Sequence, residues 1–290
     1  GVGPRPEVVS RLNPLPDHTL RLHTRAVGLN FRDVLNILGQ YPGTPGPPGN
    51  DASGVVVEVG RNVSQTVGMH TFGFSFAPLA TLGGPALSIL MAPKPKALSF
   101  EQACTLPSTW LTVHVALGRS GLSGGERILV QAAAGGVGLK ACEYSRWLSC
   151  SSVGTAGRPQ KHRFLALAGV GRACSSRDGA AFTIGVSRLG RRLHEAINSL
   201  SYDFISGGMA ALGQGARFTE IGKRAVWSAR RYAAAASTIA HQVVALDDDL
   251  KSNPEWKKSL GAPPSAVLME LAARAAAGTV VSLPLRSFEM

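Results

Sequence analysis

With 290 residues and 44% hydrophobic composition, the chain has material for one large domain or two of ordinary size, which excludes a globally disordered protein. No apolar run approaches the roughly 18 residues of a membrane span and no signal peptide opens the sequence, so neither a membrane span nor secretion is expected. The formal net charge of +12 does not point to nucleic acid, because aromatics make up only 6% of the chain and do not interleave with the basic residues.

In chain order, residues 1–17 are proline-rich and read as an extended lead-in. His18–Gly28 alternates apolar and polar residues, the mark of a half-buried strand. Asn30–Leu38 has helical apolar spacing at Phe31, Val34, Leu35 and Leu38, and Tyr41–Gly49 must be a loop because proline and glycine fill it. Gly54–Gly60 reads as a buried strand, and the chain to about Leu98 as further short strands and turns. The first third is therefore a small, mainly β unit.

From Ser99 the texture changes to alternating helices and strands. Ser99-Phe-Glu-Gln102 opens a capped helix, Thr109–Leu117 is a second helix, and Glu126–Val130 is a strand. Further strands are expected at Cys150–Thr155, Leu193–Ile197, Ala216–Gly222, His241–Leu246 and Thr279–Leu285. Helices are expected at Leu139–Leu148, Lys161–Leu167 and Ala266–Ala277. Such alternation predicts a parallel, doubly wound sheet.

The stretch Gln131-Ala-Ala-Ala-Gly-Gly-Val-Gly138 joins strand to helix. Its glycines let backbone approach a ligand closely, and a helix N-terminus favours negative charge, so Ala134, Gly135, Gly136, Val137 and Gly138 are candidate phosphate-binding residues. About twenty residues on, an NAD-binding fold places an acid that holds the ribose hydroxyl. Here Gly154–Lys161 has no acid but carries Arg158 and Lys161, a place for a 2′-phosphate; NADPH is the expected cofactor. The basic residues concentrate in 158–192 and 223–231, where a phosphorylated cofactor or an acidic carrier protein could sit. Cys104, Cys142, Cys150 and Cys174 show no Cys-x-x-Cys pairing and read as ordinary thiols of a reducing compartment.

Several blocks in order carry a family resemblance: Ala26-Val-Gly-Leu-Asn-Phe-Arg-Asp-Val-Leu35, Tyr41-Pro-Gly43, Gly49-Asn-Asp-Ala-Ser-Gly54, Ala103-Cys-Thr-Leu-Pro107, Gly125–Gly138, Thr155-Ala-Gly157 with Lys161, Asn198-Ser-Leu-Ser201, Ala216–Lys223, Val244-Ala-Leu-Asp247 and Ser282-Leu-Pro-Leu285. They resemble the medium-chain dehydrogenase/reductase superfamily and, more narrowly, the zinc-independent, quinone oxidoreductase-like enoyl reductase domain of a type I polyketide synthase. The resemblance implies an α/β architecture: a Rossmann doubly wound parallel sheet inserted into a GroES-like mainly-β catalytic domain. The expected divisions are residues 1–106 (catalytic domain, first segment), 107–263 (Rossmann NADPH-binding domain) and 264–290 (catalytic domain, second segment). The family continues past this point with a final helix and strand, so the chain is expected to be a piece of a multidomain synthase.

The reaction so implied is NADPH-dependent reduction of an α,β-enoyl thioester on an acyl carrier protein, with hydride to the β-carbon and a proton to the α-carbon. Tyr41 matches a cleft tyrosine that serves as proton donor and is associated with stereochemistry at an α-methyl centre. Lys223 matches a proposed donor lysine, and Asp247 its acidic partner, with Asp248 and Asp249 adjacent. Thr155, Gly157 and Asn198 fall on cofactor-binding positions, and Asn30 shapes the thioester end of the pocket. Zinc-dependent relatives place cysteine near Asn30 and a His-Glu pair at Asn50-Asp51; neither is present, so no metal is expected. Neighbouring synthase domains are the expected partners, with a homodimer as a further option. The expected location is the cytoplasm, or an organelle stroma if the full-length protein carries a transit peptide.

Three departures from the family pattern favour an alternative, an inactive structural or docking domain. The second strand is polar at Ser149–Val153, Ser149 stands where a glycine ends the preceding helix, and Leu193–Ile197 carries a His-Glu pair that would be costly without partners. A free-standing NADPH quinone oxidoreductase is the other alternative.

Overall fold

The computed structural model describes residues 14–41, 46–189, 192–246 and 262–289. An antiparallel sheet of order β4-β1-β2-β3-β5 is built from β1 (Thr19–Gly28), β2 (Asp51–Val59), β3 (His70–Phe74), β4 (Ala86–Leu87) and β5 (Met91–Pro93). Its concave core holds Leu20, Leu22, Ala52, Val56, Ala86 and Met91. Helix α1 (Phe31–Ile37) leads out of β1. Helix α2 (Phe100–Ala103) starts as its sequence predicts: Ser99 Oγ accepts from Gln102 N at 3.1 Å, and Gln102 Oε1 accepts from Ser99 N at 2.9 Å.

Helix α3 (Pro107–Ser120) leads into the second unit. It contains β6 (Arg127–Val130), α4 (Gly136–Trp147), β7 (Ser151–Ala156), α5 (Pro159–Leu167), β8 (Arg172–Ser175), α6 (Gly179–Ser187) and β9 (Leu193–Asn198). It continues with α7 (Asp203–Ala210), β10 (Leu212–Glu220), α8 (Ala229–Ala235) and β11 (Ala240–Val243). The strands pair in parallel in the order β11-β10-β9-β6-β7-β8. This is the doubly wound order, with the chain reversing direction between β6 and β9, and ligands of such sheets bind outside the strand ends at that switch point. The glycine turn follows β6. Helix α9 (Pro264–Ala276) returns to pack on β5 and α3, burying Val267, Leu268 and Leu271 in a core that also contains Phe72, Ala92, Trp110 and Ile128.

Two expectations require correction. Thr279–Leu285 is not a strand: among the described residues it pairs with none, and runs as an extended tail across α3 and α4. Polar contacts fix it there instead. Buried Lys140 donates to Val281 O and pairs with Glu143 Oε2 at 2.8 Å, and Leu283 N donates to Thr105 Oγ1 at 3.1 Å.

The His-Glu pair of β9 is also not without partners. Glu195 is fully buried, but its Oε2 meets Arg217 Nε at 2.9 Å and its Oε1 accepts from Thr219 Oγ1 at 2.7 Å. Arg217 also reaches Glu126 Oε2 at 2.6 Å, and His194 Nδ1 accepts from Arg127 N at 3.0 Å. The polar second strand forms as β7, and Ser149 adopts φ 60° in the left-handed position expected of a glycine, at a cost of roughly 1 kcal/mol.

Burial pushes the Glu195 carboxyl from 4.5 up to about 7, against the pull of Thr219 and Arg217. A folded-state pKa above the unfolded value means that the folded state holds the proton more tightly; its stabilising share is complete below about pH 4.5 and lost as pH rises through about 7. Glu195→Gln should therefore flatten the fall in melting temperature between these pH values, and an unchanged slope would contradict this assignment.

Candidate active site

Two carboxylates organise the catalytic-domain wall. Asp33, buried in the first turn of α1, accepts Asn30 N at 2.8 Å and Gly49 N at 3.0 Å. It thereby ties the Gly49 end of the proline-glycine loop to the start of α1. Gly49 is required there: its φ is +79°, and a Cβ would lie 2.8 Å from Val27 Cγ1. Tyr41, half-buried at the start of that loop, donates its N–H to Leu35 O at 3.2 Å.

Asp51 at the head of β2 accepts Asn30 Nδ2 at 3.1 Å and Ser108 Oγ at 2.6 Å, and the Ser108 N–H lies 3.2 Å from both carboxylate oxygens. Burial raises its carboxyl to about 7 despite these hydrogen bonds. Asn30 is thus held in place by Asp51 through its amide. Among the described residues, no three His, Cys, Asp or Glu side chains stand together to hold a metal ion.

The facing wall is the end of the parallel sheet. Thr155, at the end of β7, fixes the glycine turn: its Oγ1 accepts Ala132 N at 2.9 Å and its carbonyl accepts Ala133 N at 2.8 Å. Its side chain is fully buried, so it acts on the turn from beneath. Gly135 is exposed and caps α4 without a side-chain bond. The first amides of such a helix have no intrahelical acceptor. A pocket of about 370 Å³ lies over this turn, lined by Ala134, Gly136, Leu139, Lys161 and Phe164, with Leu283 of the tail.

Arg158 and Lys161 stand exposed at the start of α5. A third cation joins them. Arg177, from the loop after β8, lies so close to Gly157 that a Cβ there would be 2.8 Å from Arg177 Nε. Its local signal is weak, an arginine in Ser175-Ser-Arg-Asp178 that becomes legible only once β7 and β8 are known to be adjacent. The helix N-terminus, the close-packed glycines and the three cations, with no carboxylate lining the pocket, fit a phosphate-bearing cofactor.

Asn198 and Glu220 end β9 and β10 in register. Glu220 is buried, with its carboxyl raised chiefly by burial. Its Oε2 accepts Asn198 Nδ2 at 2.6 Å and Tyr232 OH at 3.1 Å, and its Oε1 accepts Gly222 N at 2.6 Å. Asn198 also donates to Leu200 O at 2.8 Å, so both its amide hydrogens are engaged and it shapes the loop after β9. Glu220 fixes the turn that ends at Lys223, which is half-buried. The next residue, Arg224, donates to Gln40 Oε1 at 3.3 Å, so the neighbours of Lys223 and Tyr41 are bonded to each other. Asp247, Asp248 and Asp249 lie outside the described residues.

Comparison with known proteins agrees with this geometry. Residues 16–78 match the alcohol dehydrogenase GroES-like domain family. The chain is 32% identical over 284 residues to polyketide synthase GfsB of Streptomyces halstedii, covering 96% of this chain and 5% of the synthase's length. It superposes on the crystal structure of CurK enoyl reductase with a TM-score of 0.86 at 28% identity, covering 97% of this chain and 86% of that one. At fold level it resembles Escherichia coli quinone oxidoreductase complexed with NADPH, with a TM-score of 0.76 at 23% identity, over 94% of this chain and 84% of that one. The chain belongs to the medium-chain dehydrogenase/reductase superfamily, among the enoyl reductase domains of polyketide synthases.

Proposed function

We propose that the chain catalyses NADPH-dependent reduction of an α,β-enoyl thioester held on an acyl carrier protein. The observation that carries this reading is the glycine turn at the switch point of the parallel sheet. The glycine turn opens α4 beneath a pocket lined by Lys161; Arg158 and Arg177 stand beside it, and Arg224 and Gln40, the neighbours of Lys223 and Tyr41, are bonded to each other.

When bound, NADPH supplies the hydride that reaches the β-carbon. The amides opening α4 bind the pyrophosphate, and Arg158, Lys161 and Arg177 receive the 2′-phosphate. Ala134, Gly136 and Val137 form the floor of that seat, and Gly157 lets Arg177 approach. Asn30, oriented by Asp51, shapes the thioester end. Negative charge then develops on the thioester oxygen and α-carbon. Lys223 and Tyr41 supply the proton to that carbon, with Asp247 as the proposed ion partner of Lys223. Neighbouring polyketide synthase domains deliver and receive the carrier.

Turnover of crotonyl-pantetheine thioester with NADPH, compared with NADH and with a soluble quinone as acceptor, tests the reading. Reduction of the quinone alone would contradict it. Lys161→Ala combined with Arg177→Ala should weaken NADPH binding by about 10- to 100-fold, the worth of charge-assisted hydrogen bonds, and leave NADH unaffected. Equal losses for both cofactors, read by nucleotide fluorescence titration, would remove the 2′-phosphate assignment.

A further inference from the structure

We propose that the loop from Gly222 to Ser228 and the first turn of α8, with the adjoining face of α1, is the landing surface for an acidic protein partner, the carrier domain that brings the thioester to the active site. This inference rests on the enoyl thioester reading above. Between Gly222 and Leu246 the sequence holds four cations, Lys223, Arg224, Arg230 and Arg231, and no acid. Arg224, Arg230 and Arg231 are exposed.

Three features make this more than a solvated basic loop. The Arg231 guanidinium lies 4.1 Å from the ring centre of half-buried Trp227, a pre-ordered aromatic–arginine pair of the kind that dominates protein interfaces. Next to it is a pocket of about 510 Å³ lined by Tyr202, Val226 and Trp227. Two of its lining residues hold left-handed backbone without being glycine: Tyr202 at φ 58° and Ala225 at φ 52°. Strain of this kind costs roughly 1–3 kcal/mol per residue and clusters at active sites, ligand clamps and switch regions.

On the other side, Arg224 lies 5.9 Å from the ring of Phe31. Phe31, Val34 and Ile37 recur at helical spacing along α1 and are 64%, 46% and 78% exposed. An apolar helix face thus meets a cationic loop at Phe31 and Arg224. That combination complements an acidic, amphipathic protein helix. Nucleic acid suits it less, because the Trp227 ring is covered by Arg231 rather than open to a base, and Asp203 stands in the adjacent pocket. The loop begins at Lys223, so a partner seated on it places its thioester arm at the cleft mouth.

The test compares crotonyl carried on an acyl carrier domain with crotonyl-pantetheine, using the whole chain and its Arg230→Glu, Arg231→Glu double variant. The variant should raise KM for the carrier-borne substrate by about 10-fold or more, leave kcat and the small thioester unchanged, and keep the wild-type melting temperature. Added salt should bring the wild-type KM towards the variant's. An equal effect on both substrates, or no effect on either, would overturn the proposal. If the wild-type chain turns over neither substrate, the enoyl reductase reading fails, and fluorescence anisotropy of a labelled carrier domain decides docking separately. Equal binding to both chains, or tighter binding of a mixed-sequence oligonucleotide than of the carrier, would then overturn it.

Discussion

Combining Tyr41→Phe with Lys223→Ala lowers kcat for enoyl thioester reduction by about 10²- to 10⁴-fold, the usual worth of a positioned proton donor. NADPH affinity should stay unchanged, because the glycine turn and Arg158, Lys161 and Arg177 supply the phosphate contacts. The expectation rests on how firmly each side chain is placed. The three donors that converge on buried Glu220 fix the turn into Lys223, Tyr41 N is bonded to Leu35 O at the end of α1, and Asp33 holds the far end of the loop at Gly49. Each single variant costs less, since the other donor remains. Lys223→Arg separates proton transfer from simple charge: arginine keeps the charge but does not release a proton near neutral pH, so it should not restore the rate. Full activity in Lys223→Arg would assign the lysine an electrostatic role alone.

Gly138→Val should abolish NADPH binding and destabilise the fold by roughly 1–3 kcal/mol, as overpacking does. A Cβ at Gly138 would lie 2.5 Å from Ala132 O and 2.6 Å from Ala133 Cα. Both are backbone atoms of a turn that Thr155 already holds from below, so neither can retreat without deforming the site. For a chain of this size the loss amounts to a drop of several degrees in melting temperature. Gly135→Ala is the control: Gly135 is exposed, and a Cβ there meets only Ala132 O at 3.2 Å. A Gly138→Val protein with wild-type melting and NADPH affinity would show that the turn seats no cofactor.

The parts legible in the sequence are those whose requirements are local. The glycine turn, the Ser99 cap and the existence of β1 follow from neighbours a few residues apart, although the first four residues of β1 are all buried and not alternately so. Arg158 and Lys161 also lie within one strand-to-helix step of the turn. The carboxylates that hold the site together were not legible, because their partners are remote. Asp51 meets Ser108 across 57 residues, and Glu220 meets Asn198 across 22. Tyr41, Lys223 and Asn30 entered through family resemblance, since a tyrosine in a proline loop or a lysine after a strand has no chemical signature of its own.

The partners of the His-Glu pair are likewise remote in sequence. Glu195 stands three residues before Asn198 and Arg217 three before Glu220, and the parallel register sets Asn198 beside Glu220. Equal depth along adjacent strands therefore places Glu195 beside Arg217, which no reading of one strand alone could supply. The tail at Thr279–Leu285 fails for the opposite reason. It has strand-like residues, but extended chain becomes a strand only beside another edge, and here Lys140, Glu143 and Thr105 take up its backbone groups.

The most direct test is to follow deuterium from NADPH labelled at the transferable position during reduction of crotonyl-pantetheine thioester. The account predicts deuterium at the β-carbon and a solvent-derived hydrogen at the α-carbon of the saturated product, read by mass spectrometry and NMR. A chain that binds NADPH yet transfers no label, or places it at the α-carbon, would contradict it.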